Sequence, residues 1–246
     1  PAFLLTGERP RPGEEPREAL GRMVTSDPQF ARAAVNRFWA KLMGFGIVEP
    51  FDEFDLARQD PDNVPEGWEL QASHPKLLDA LARNFEQSDY SIKRLLRTIA
   101  RSSAYQLSPH FPGEWKEKYT KYFARKFVRR LSAEELHDSI ALATDRPGKF
   151  TFGSRKVGMS MQLSGPAGGR DVRSFMRTFG QSDRNTPPSI KAGSLLHPLA
   201  LMQSPVVTDR VLATGDSRVK NLLDAYSDDT RVVEEMFLGT VSRPPS

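Results

Sequence analysis

The stretch that decides the fold runs from Asp27 to Gly46 and reads DPQFARAAVNRFWAKLMGFG. It predicts a helix with Asp27 as the N-cap and Pro28 in the first turn, where the missing N–H of proline leaves no bond unmade. Its apolar residues recur at spacing four and form one stripe of Phe30, Ala34, Phe38 and Leu42. Asn36 lies off this stripe. Two glycines then end the helix, because glycine readily adopts the left-handed conformation of a helix C terminus.

Similar signals recur along the chain and predict more helices. Ser73-His74-Pro75 opens one of them, with Ser73 as N-cap, and Ser132 with Glu135 forms a capping box for another. The helix after Pro75 is predicted to bury Leu77, Leu78, Leu81 and Phe85. A helix from Ser91 to about Tyr105 is predicted to bury Ile92, Leu95, Leu96 and Ile99. Helical patterns also cover Val172–Phe179, Leu195–Gln203, Val206–Ala213, Arg218–Tyr226 and Thr230–Thr240.

The predicted fold class is therefore all-α, an irregular multi-helix domain. Proline-rich residues 1–16 predict an extended lead-in, and residues 17–246 are predicted to form a single helical domain. Within it, 144–170 is a glycine-rich insertion in which Thr151-Phe152 and 157–163 are predicted to pair as a short β-hairpin. Residues 49–72 are acidic and predict a loop.

Composition excludes several classes of chemistry. The 246 residues contain no cysteine, which excludes disulfides, thiolate nucleophiles, zinc–cysteine sites and covalent haem attachment in this segment. Only one Glu-x-x-His pair, Glu134 and His137, has the spacing of a di-iron ligand pair, and such sites need two. Gly-x-Ser-x-Gly, phosphate-binding loops and dinucleotide fingerprints are absent from the sequence. We therefore expect no metal and no cofactor in this segment, and we read both of its ends as boundaries within a longer protein.

Charge gives a mild bias toward anionic partners, with a formal net charge of +4 and a pI near 9.4. Lys93, Arg97 and Arg101 recur at spacing four, and a second basic stretch over 116–130 is interleaved with aromatic residues. That combination suits sugars, nucleic acid or an acidic protein surface. A solvated helix face with aromatic core contacts is the other interpretation. No apolar run reaches the ~18 residues that a membrane-spanning helix needs.

The candidate binding residues are polar side chains of the predicted helices, of the basic stretches and of the turns beside them: Asn36, Arg37, His74, Arg97, Arg101, Tyr105, Arg129, Arg130, Arg177, Asp183 and Arg184. His74 precedes a helix and is expected to fix its entry by a local hydrogen bond. The last three border a turn, where they suit either a binding site or an ion-paired brace.

Four segments in order carry a family resemblance. They read VNRFW at 35–39 with GFGIV at 44–48, SHPKLLD at 73–79, IARSSAYQLS at 99–108 and FMRTFGQSDRN at 175–185. Together they resemble the C-terminal domain of unknown function of planctomycete and acidobacterial proteins that also carry planctomycete-type cytochrome c domains. The resemblance spans about 17–245. It implies a large multidomain bacterial protein, exported or at the cell surface, with its haem region outside these residues and no established activity.

Three functions are compatible with these observations. The first is a non-catalytic interaction module whose partners are other domains of the parent chain, an acidic protein or a glycan. The second is an enzyme, for example a hydrolase, with a site assembled from distant residues: His74, Arg97, Tyr105, Arg129 and Asp183. The third is nucleic-acid binding through the basic stretches, which an exported location disfavours.

Overall fold

The structure is a computed structural model that describes residues 2–3, 6–163, 165–182 and 194–245. The chain folds as two compact units, Pro1–Arg129 and Arg130–Ser246, and each is described by itself. Of the described residues about half are helical, which confirms the predicted all-α class. The single domain over 17–246 stays a prediction. Across the described ranges, no helix combines the length and the apolar character that crossing a membrane requires.

In its described residues, the first unit contains four helices and two short 3-10 turns. The helices are α1 (Pro16–Ser26), α2 (Pro28–Met43), α3 (Pro75–Gln87) and α4 (Ile92–Ala100), and the 3-10 turns cover Leu56–Arg58 and Glu117–Tyr122. Helix α2 lies at the centre, because α1, α3 and α4 all pack against it. Between α2 and α3 the chain runs as the loop predicted for 49–72, apart from its one 3-10 turn.

Helix α2 begins and ends as predicted but buries a different stripe. The Asp27 carboxylate accepts a hydrogen bond from the Gln29 amide (2.7 Å), and Gly44 has the left-handed φ of 100°. The buried side chains, however, are those one position on from the predicted stripe: Ala31, Val35, Trp39 and Met43. Phe30 is exposed, and the other members of the predicted stripe are only half-buried. Two apolar stripes run side by side on this helix, and the packing of three neighbouring helices determines which one is buried.

Three predictions about helices α3 and α4 were wrong. Ser73 is not the N-cap of α3, because its hydroxyl donates to the Ile47 carbonyl (3.0 Å) and the N-cap position belongs to His74. Leu77 and Ile92 are exposed, at the edge of the stripes predicted to be buried. Helix α4 ends at Ala100, five residues before the predicted end. There the Ser102 hydroxyl donates to the Ile99 carbonyl (2.7 Å), a local bond that competes with helix continuation.

The second unit contains six helices and one hairpin in its described residues. The helices are α5 (Ala133–Ala143), α6 (Arg170–Thr178), α7 (Leu196–Gln203), α8 (Pro205–Val211), α9 (Arg218–Ala225) and α10 (Asp229–Val241). The predicted capping box at the start of α5 is present, with Ser132 and Glu135 each bonding the other's backbone amide. The buried core of α5, α6 and α8 is small and consists of Ala133, Phe175, Met176 and Val206.

The predicted hairpin is present, with its second strand earlier than expected. Strand β1 (Phe150–Phe152) pairs antiparallel with β2 (Arg155–Val157), and Phe150 lies opposite Val157. Placing the second strand at 157–163 was wrong, because residues 160–162 form a 3-10 turn. The physical reason is the Asp138 carboxylate, which accepts the backbone amides of Ser160 (2.7 Å) and Met161 (2.9 Å) and so withdraws them from strand pairing.

Candidate functional site

Asn36, the first candidate residue, is completely buried in the first unit and clamps the loop after α2. Its amide nitrogen donates to the carbonyls of Val48 (2.9 Å) and Phe51 (2.9 Å). Its amide oxygen accepts from the backbone amides of Ile47 (2.8 Å) and Val48 (3.0 Å). These four bonds use both donors and both lone pairs of the side chain. The role visible in the structure is therefore to hold the loop that enters the acidic segment.

The exposed arginines of the first unit lie apart from its buried polar groups. Arg37 is exposed on α2, and Arg97 and Arg101 are exposed on α4 and just after its end. Within the described residues, no hydrogen bond or ion pair joins Arg97 or Arg101 to His74 or Tyr105. The four side chains therefore form no bonded constellation in this unit.

His74 makes the local hydrogen bond that the sequence predicts. Its Nδ1 lies 3.2 Å from the Ser73 hydroxyl. The ring also packs against the rings of Tyr122 and Phe123, at centroid distances of 6.4 and 5.8 Å. His74 thereby ties the start of α3 to the segment that follows the second 3-10 turn.

The Tyr105 ring makes a cation–π contact with Lys126. The Lys126 ammonium lies 3.3 Å from the centroid of the Tyr105 ring and donates to the carbonyl of Leu42 (2.9 Å), in the last turn of α2. Burial lowers the pKa of Lys126, and the nearby positive charge of Arg129 lowers it further. A cation at the C-terminal end of a helix is also stabilised by the negative end of the helix dipole. The sequence placed Lys126 in a basic stretch but did not single it out.

Much of the basic and aromatic stretch over 116–130 packs on itself. The Arg125 guanidinium stacks 4.1 Å from the centre of the Trp115 ring. Trp115 in turn packs edge-on against Phe111, Tyr119 and Phe127. Tyr122 is the ring that remains mostly exposed, with the Lys121 ammonium 5.4 Å from its centroid. These contacts match the interpretation in which the aromatic residues supply packing. Arg129 is exposed at the end of the stretch.

The second unit contains a polar cluster of the buried His137, Asp138 and Ser160 with the half-buried Arg210. Asp138 accepts four hydrogen bonds, from the His137 Nδ1 (2.9 Å), the Ser160 amide and hydroxyl (both 2.7 Å) and the Met161 amide (2.9 Å). Arg210 Nη2 lies 3.2 Å from His137 Nε2. Because a guanidinium can only donate, Nε2 must accept, and His137 is the neutral tautomer with its proton on Nδ1.

The two ionisable groups at the centre of this cluster respond differently to burial. Burial is the main cause that lowers the pKa of His137, and the charge of Arg210 adds to it, while the bond to Asp138 opposes both. Burial raises the pKa of Asp138, but the hydrogen bonds from His137, Met161 and Ser160 outweigh it, so the pKa is lowered. Both groups are therefore held in the forms that their hydrogen bonds require, neutral imidazole and ionised carboxylate.

The order of these groups is that of a structural brace, unlike a nucleophilic triad. In a triad the imidazole stands between the hydroxyl and the carboxylate and takes the hydroxyl proton. Here the carboxylate stands between Ser160 and His137, and a carboxylate with a lowered pKa is a weak base. Ser160 and His137 are both fully buried. The cluster joins α5 to the 3-10 turn over 160–162 and to α8.

Glu134, the partner of His137 in the only Glu-x-x-His pair, has a different contact. Its carboxylate accepts a hydrogen bond from the Gln181 amide (3.1 Å), and the His137 imidazole is engaged by Asp138 and Arg210. In the part of the chain that the structure describes, no group of three or more acidic or histidine side chains is arranged to hold a metal ion.

The remaining described candidates are Arg130, which contacts the start of α7, and Arg177 on α6. Arg130 Nη1 lies 3.3 Å from His197 Nδ1, and His197 Nε2 donates to the carbonyl of Thr178 (3.1 Å). The His197 ring also stacks on Phe179, with centroids 4.9 Å apart. Arg177 is exposed on α6. Asp183 and Arg184 lie outside the described residues, so the predicted polar group is represented here by Arg177.

The second unit has a cleft between α6 and α7. Its volume is about 300 Å³, and Ser204 and Pro205, at the start of α8, are among the residues that line it. Along α6 it is lined by Asp171, Ser174, Phe175 and Thr178. Along α7 it is lined by Leu196, Leu199, Ala200 and Gln203. We call this feature the α6–α7 cleft. Its α7 side is mainly apolar, its α6 side is mainly polar, and Asp171 is the one charged residue of its lining.

Three arginines belong to α6, the helix that forms one wall of this cleft. Arg170, Arg173 and Arg177 recur at spacing three and four, so they lie on one side of the helix, and all three are exposed. None forms an ion pair or side-chain hydrogen bond with another residue in the described ranges. We call these three residues the arginine ridge. Of these three, only Arg177 was among the predicted binding residues, although the spacing of all three is visible in the sequence.

Comparison with known proteins places the chain in one group. The model of the PSD1 family, described as "Protein of unknown function (DUF1553)", matches residues 16–246. No curated protein and no solved structure matches the chain. The match confirms the predicted domain of unknown function, and the description of the family names no activity.

Proposed function

The chain belongs to this family of unknown function, and we propose that it is a non-catalytic interaction module whose α6–α7 cleft binds an amphipathic helix with acidic flanks. The sequence resemblance to planctomycete and acidobacterial multidomain proteins supports a further part of the proposal. It is that the module belongs to a large exported or cell-surface protein and works beside other domains.

The observation that carries the proposal is helix α7. None of its eight residues is buried, although four of them are leucine or methionine. Leu196 is 60% exposed, Leu199 47% and Met202 75%. Burying one such side chain contributes roughly 1.5–3 kcal/mol, so this helix leaves a large stabilising contribution unused. Contiguous apolar surface of this kind, rimmed by polar groups, is typical of a protein–protein contact.

The chemistry of the rim selects the partner. An amphipathic helix that lays an apolar stripe into a groove is a common mode of peptide recognition. The arginine ridge runs along α6 on the outside of the cleft, and its three positive charges have no ion-pair partner in the described part of the chain. Acidic side chains flanking the apolar stripe of the bound helix would meet those charges, which favours this class of partner over a basic one.

Fluorescence anisotropy with two designed peptides tests the proposal. Both peptides are helical and carry the same leucine stripe, one flanked by glutamates and the other by lysines. The chain is expected to bind the acidic peptide and to bind the basic one at least about tenfold more weakly. Addition of salt should narrow this difference, because salt screens exposed charges.

A matched pair of variants locates the site. Leu199→Glu places a charge on the cleft wall and should weaken binding of the acidic peptide by about tenfold or more. Leu20→Glu changes a leucine of similar exposure on α1, 54% against 47% for Leu199, and should leave binding unchanged. Failure of the acidic peptide to bind, or equal effects of the two substitutions, would overturn the proposal.

A further inference from the structure

Helix α10 leaves an apolar stripe uncovered. Val233, Phe237 and Val241 recur at spacing four, and they are 45%, 37% and 52% exposed. The opposite side of the helix carries its one buried residue, Val232, and α10 packs against α9. The exposed stripe therefore points away from the side by which α10 is held.

The charges of α10 are mainly acidic, and helical spacing places two of them, Asp229 and Glu234, beside this stripe. Helix α10 and its N-cap carry four carboxylates, those of Asp228, Asp229, Glu234 and Glu235, against one arginine. That arginine, Arg231, pairs with Glu234 (2.8 Å) and Glu235 (2.7 Å) at the surface. Exposed pairs of this type are weak and can exchange partners at small cost. Helix α10 therefore has the two features proposed for the partner of the α6–α7 cleft, an apolar stripe and acidic side chains beside it.

The two features also agree in length. The stripe from Val233 to Val241 spans eight residue steps, or about 12 Å along the helix axis. Helix α7, the apolar wall of the cleft, has eight residues and the same length of about 12 Å. One cleft can therefore take the whole exposed stripe.

We infer that the occupant of the α6–α7 cleft is helix α10 of a second copy of this chain. The inference rests on the proposed function, whose binding site it uses. Exchange is reciprocal: each chain lends its α10 and receives that of its partner around a two-fold axis. A single helix in a cleft buries little beside the roughly 800 Å² per partner of a stable interface, and reciprocal exchange doubles it. A closed two-fold pair also leaves no free site from which a filament would grow.

The absence of cysteine from the chain makes disulfide trapping specific. A tagged Ser174→Cys chain, with its thiol on the cleft wall, is mixed with a differently tagged Val241→Cys chain and oxidised mildly. The mixed disulfide dimer is expected as the main product. Leu20→Cys takes the place of Val241→Cys in the control, and its mixed dimer should be at least about tenfold less abundant. Equal yields from the two mixtures would overturn the inference.

A charge swap tests the same contact without a cross-link. Sedimentation equilibrium should show a reversible dimer. Replacing the arginine ridge by three glutamates should raise the dimer dissociation constant by about tenfold or more. Adding Asp229→Lys, Glu234→Lys and Glu235→Lys to that chain should restore the dimer. The control replaces Lys93, Arg94 and Arg97 on α4 by glutamates, an equal change of net charge that should leave the dimer intact.

The outcomes separate this inference from the proposed function. A chain that stays monomeric at all concentrations, yet binds the designed acidic peptide, overturns the inference and leaves the proposed function standing. A synthetic peptide spanning residues 227–243 should dissociate the dimer and compete with the designed peptide for the cleft. If neither peptide binds, both the inference and the proposed function are wrong.

Discussion

Replacement of Asn36 by alanine should destabilise the first unit more than any surface change. The side chain is completely buried and makes four hydrogen bonds to the backbone of residues 47, 48 and 51. Ile47 and Val48 are themselves 1% exposed, so water cannot replace the lost partners at their amides. Alanine would leave those buried groups without hydrogen bonds.

The magnitude follows from these contacts. One hydrogen bond contributes about 0.5–1.5 kcal/mol net, and a buried group left without its partner costs about 1–3 kcal/mol. The Phe51 carbonyl belongs to an exposed residue and can recover a bond to water. Three groups stay without a partner, at about 1–3 kcal/mol each, so we expect a loss of roughly 3–9 kcal/mol. Natural domains have about 5–15 kcal/mol in total, so the variant would be close to unfolding.

Urea unfolding followed by tryptophan fluorescence measures this loss in the right unit. All three tryptophans, Trp39, Trp68 and Trp115, belong to the first unit. Arg37→Ala is the matched control, because it removes an exposed neighbour on the same helix and should change the free energy of unfolding by less than about 0.5 kcal/mol. A loss below about 1 kcal/mol for Asn36→Ala would refute the reasoning. It would then favour a role for Asn36 other than holding the loop.

Two further predictions concern Lys126 and His137. Lys126→Met removes the cation that binds the end of α2 and the Tyr105 ring, and it should lower the free energy of unfolding by about 1–2 kcal/mol in the same urea assay. The exposed Lys121→Met should have almost no effect, and equal losses would contradict this role. His137 has a pKa lowered from 6.5, so the unfolded chain takes up the proton more readily than the folded one. Stability of the second unit should therefore fall as the pH drops from about 6.5 through the lowered pKa of the folded state, measured by the helical circular dichroism signal. His137→Gln should flatten this slope, and an unchanged slope would exclude His137 as its source.

Local signals predicted the helix ends well because the interacting groups are neighbours in the chain. Asp27 caps a helix two residues on, Ser132 and Glu135 cap each other, and Gly44 takes the left-handed conformation that its position requires. The error at Ser73 has the opposite origin. Its hydroxyl binds a carbonyl 26 residues earlier, a contact that no local pattern contains.

The polar sites were harder to predict for the same reason. Lys126 binds a carbonyl 84 residues away, and His137 meets Arg210 across 73 residues. One sequence contains no signal for such pairs beyond the residue types. The α6–α7 cleft was partly visible, as an apolar segment before Gln203 and as arginines at helical spacing. That these two segments face one another across a cleft was not.

By itself, the sequence determined the all-α class, the positions of most helices and the absence of cysteine chemistry. These depend on propensity, capping and composition, which act within a few residues of one another. Only the tertiary structure decided which of two apolar stripes on α2 is buried, because that choice depends on the helices packed around it. The tertiary structure also decided the burial of Asn36. Its spacing places it off the predicted apolar stripe, yet the fold encloses it completely. The same is true of α7, which the sequence predicts as a helix without indicating that its leucines are exposed.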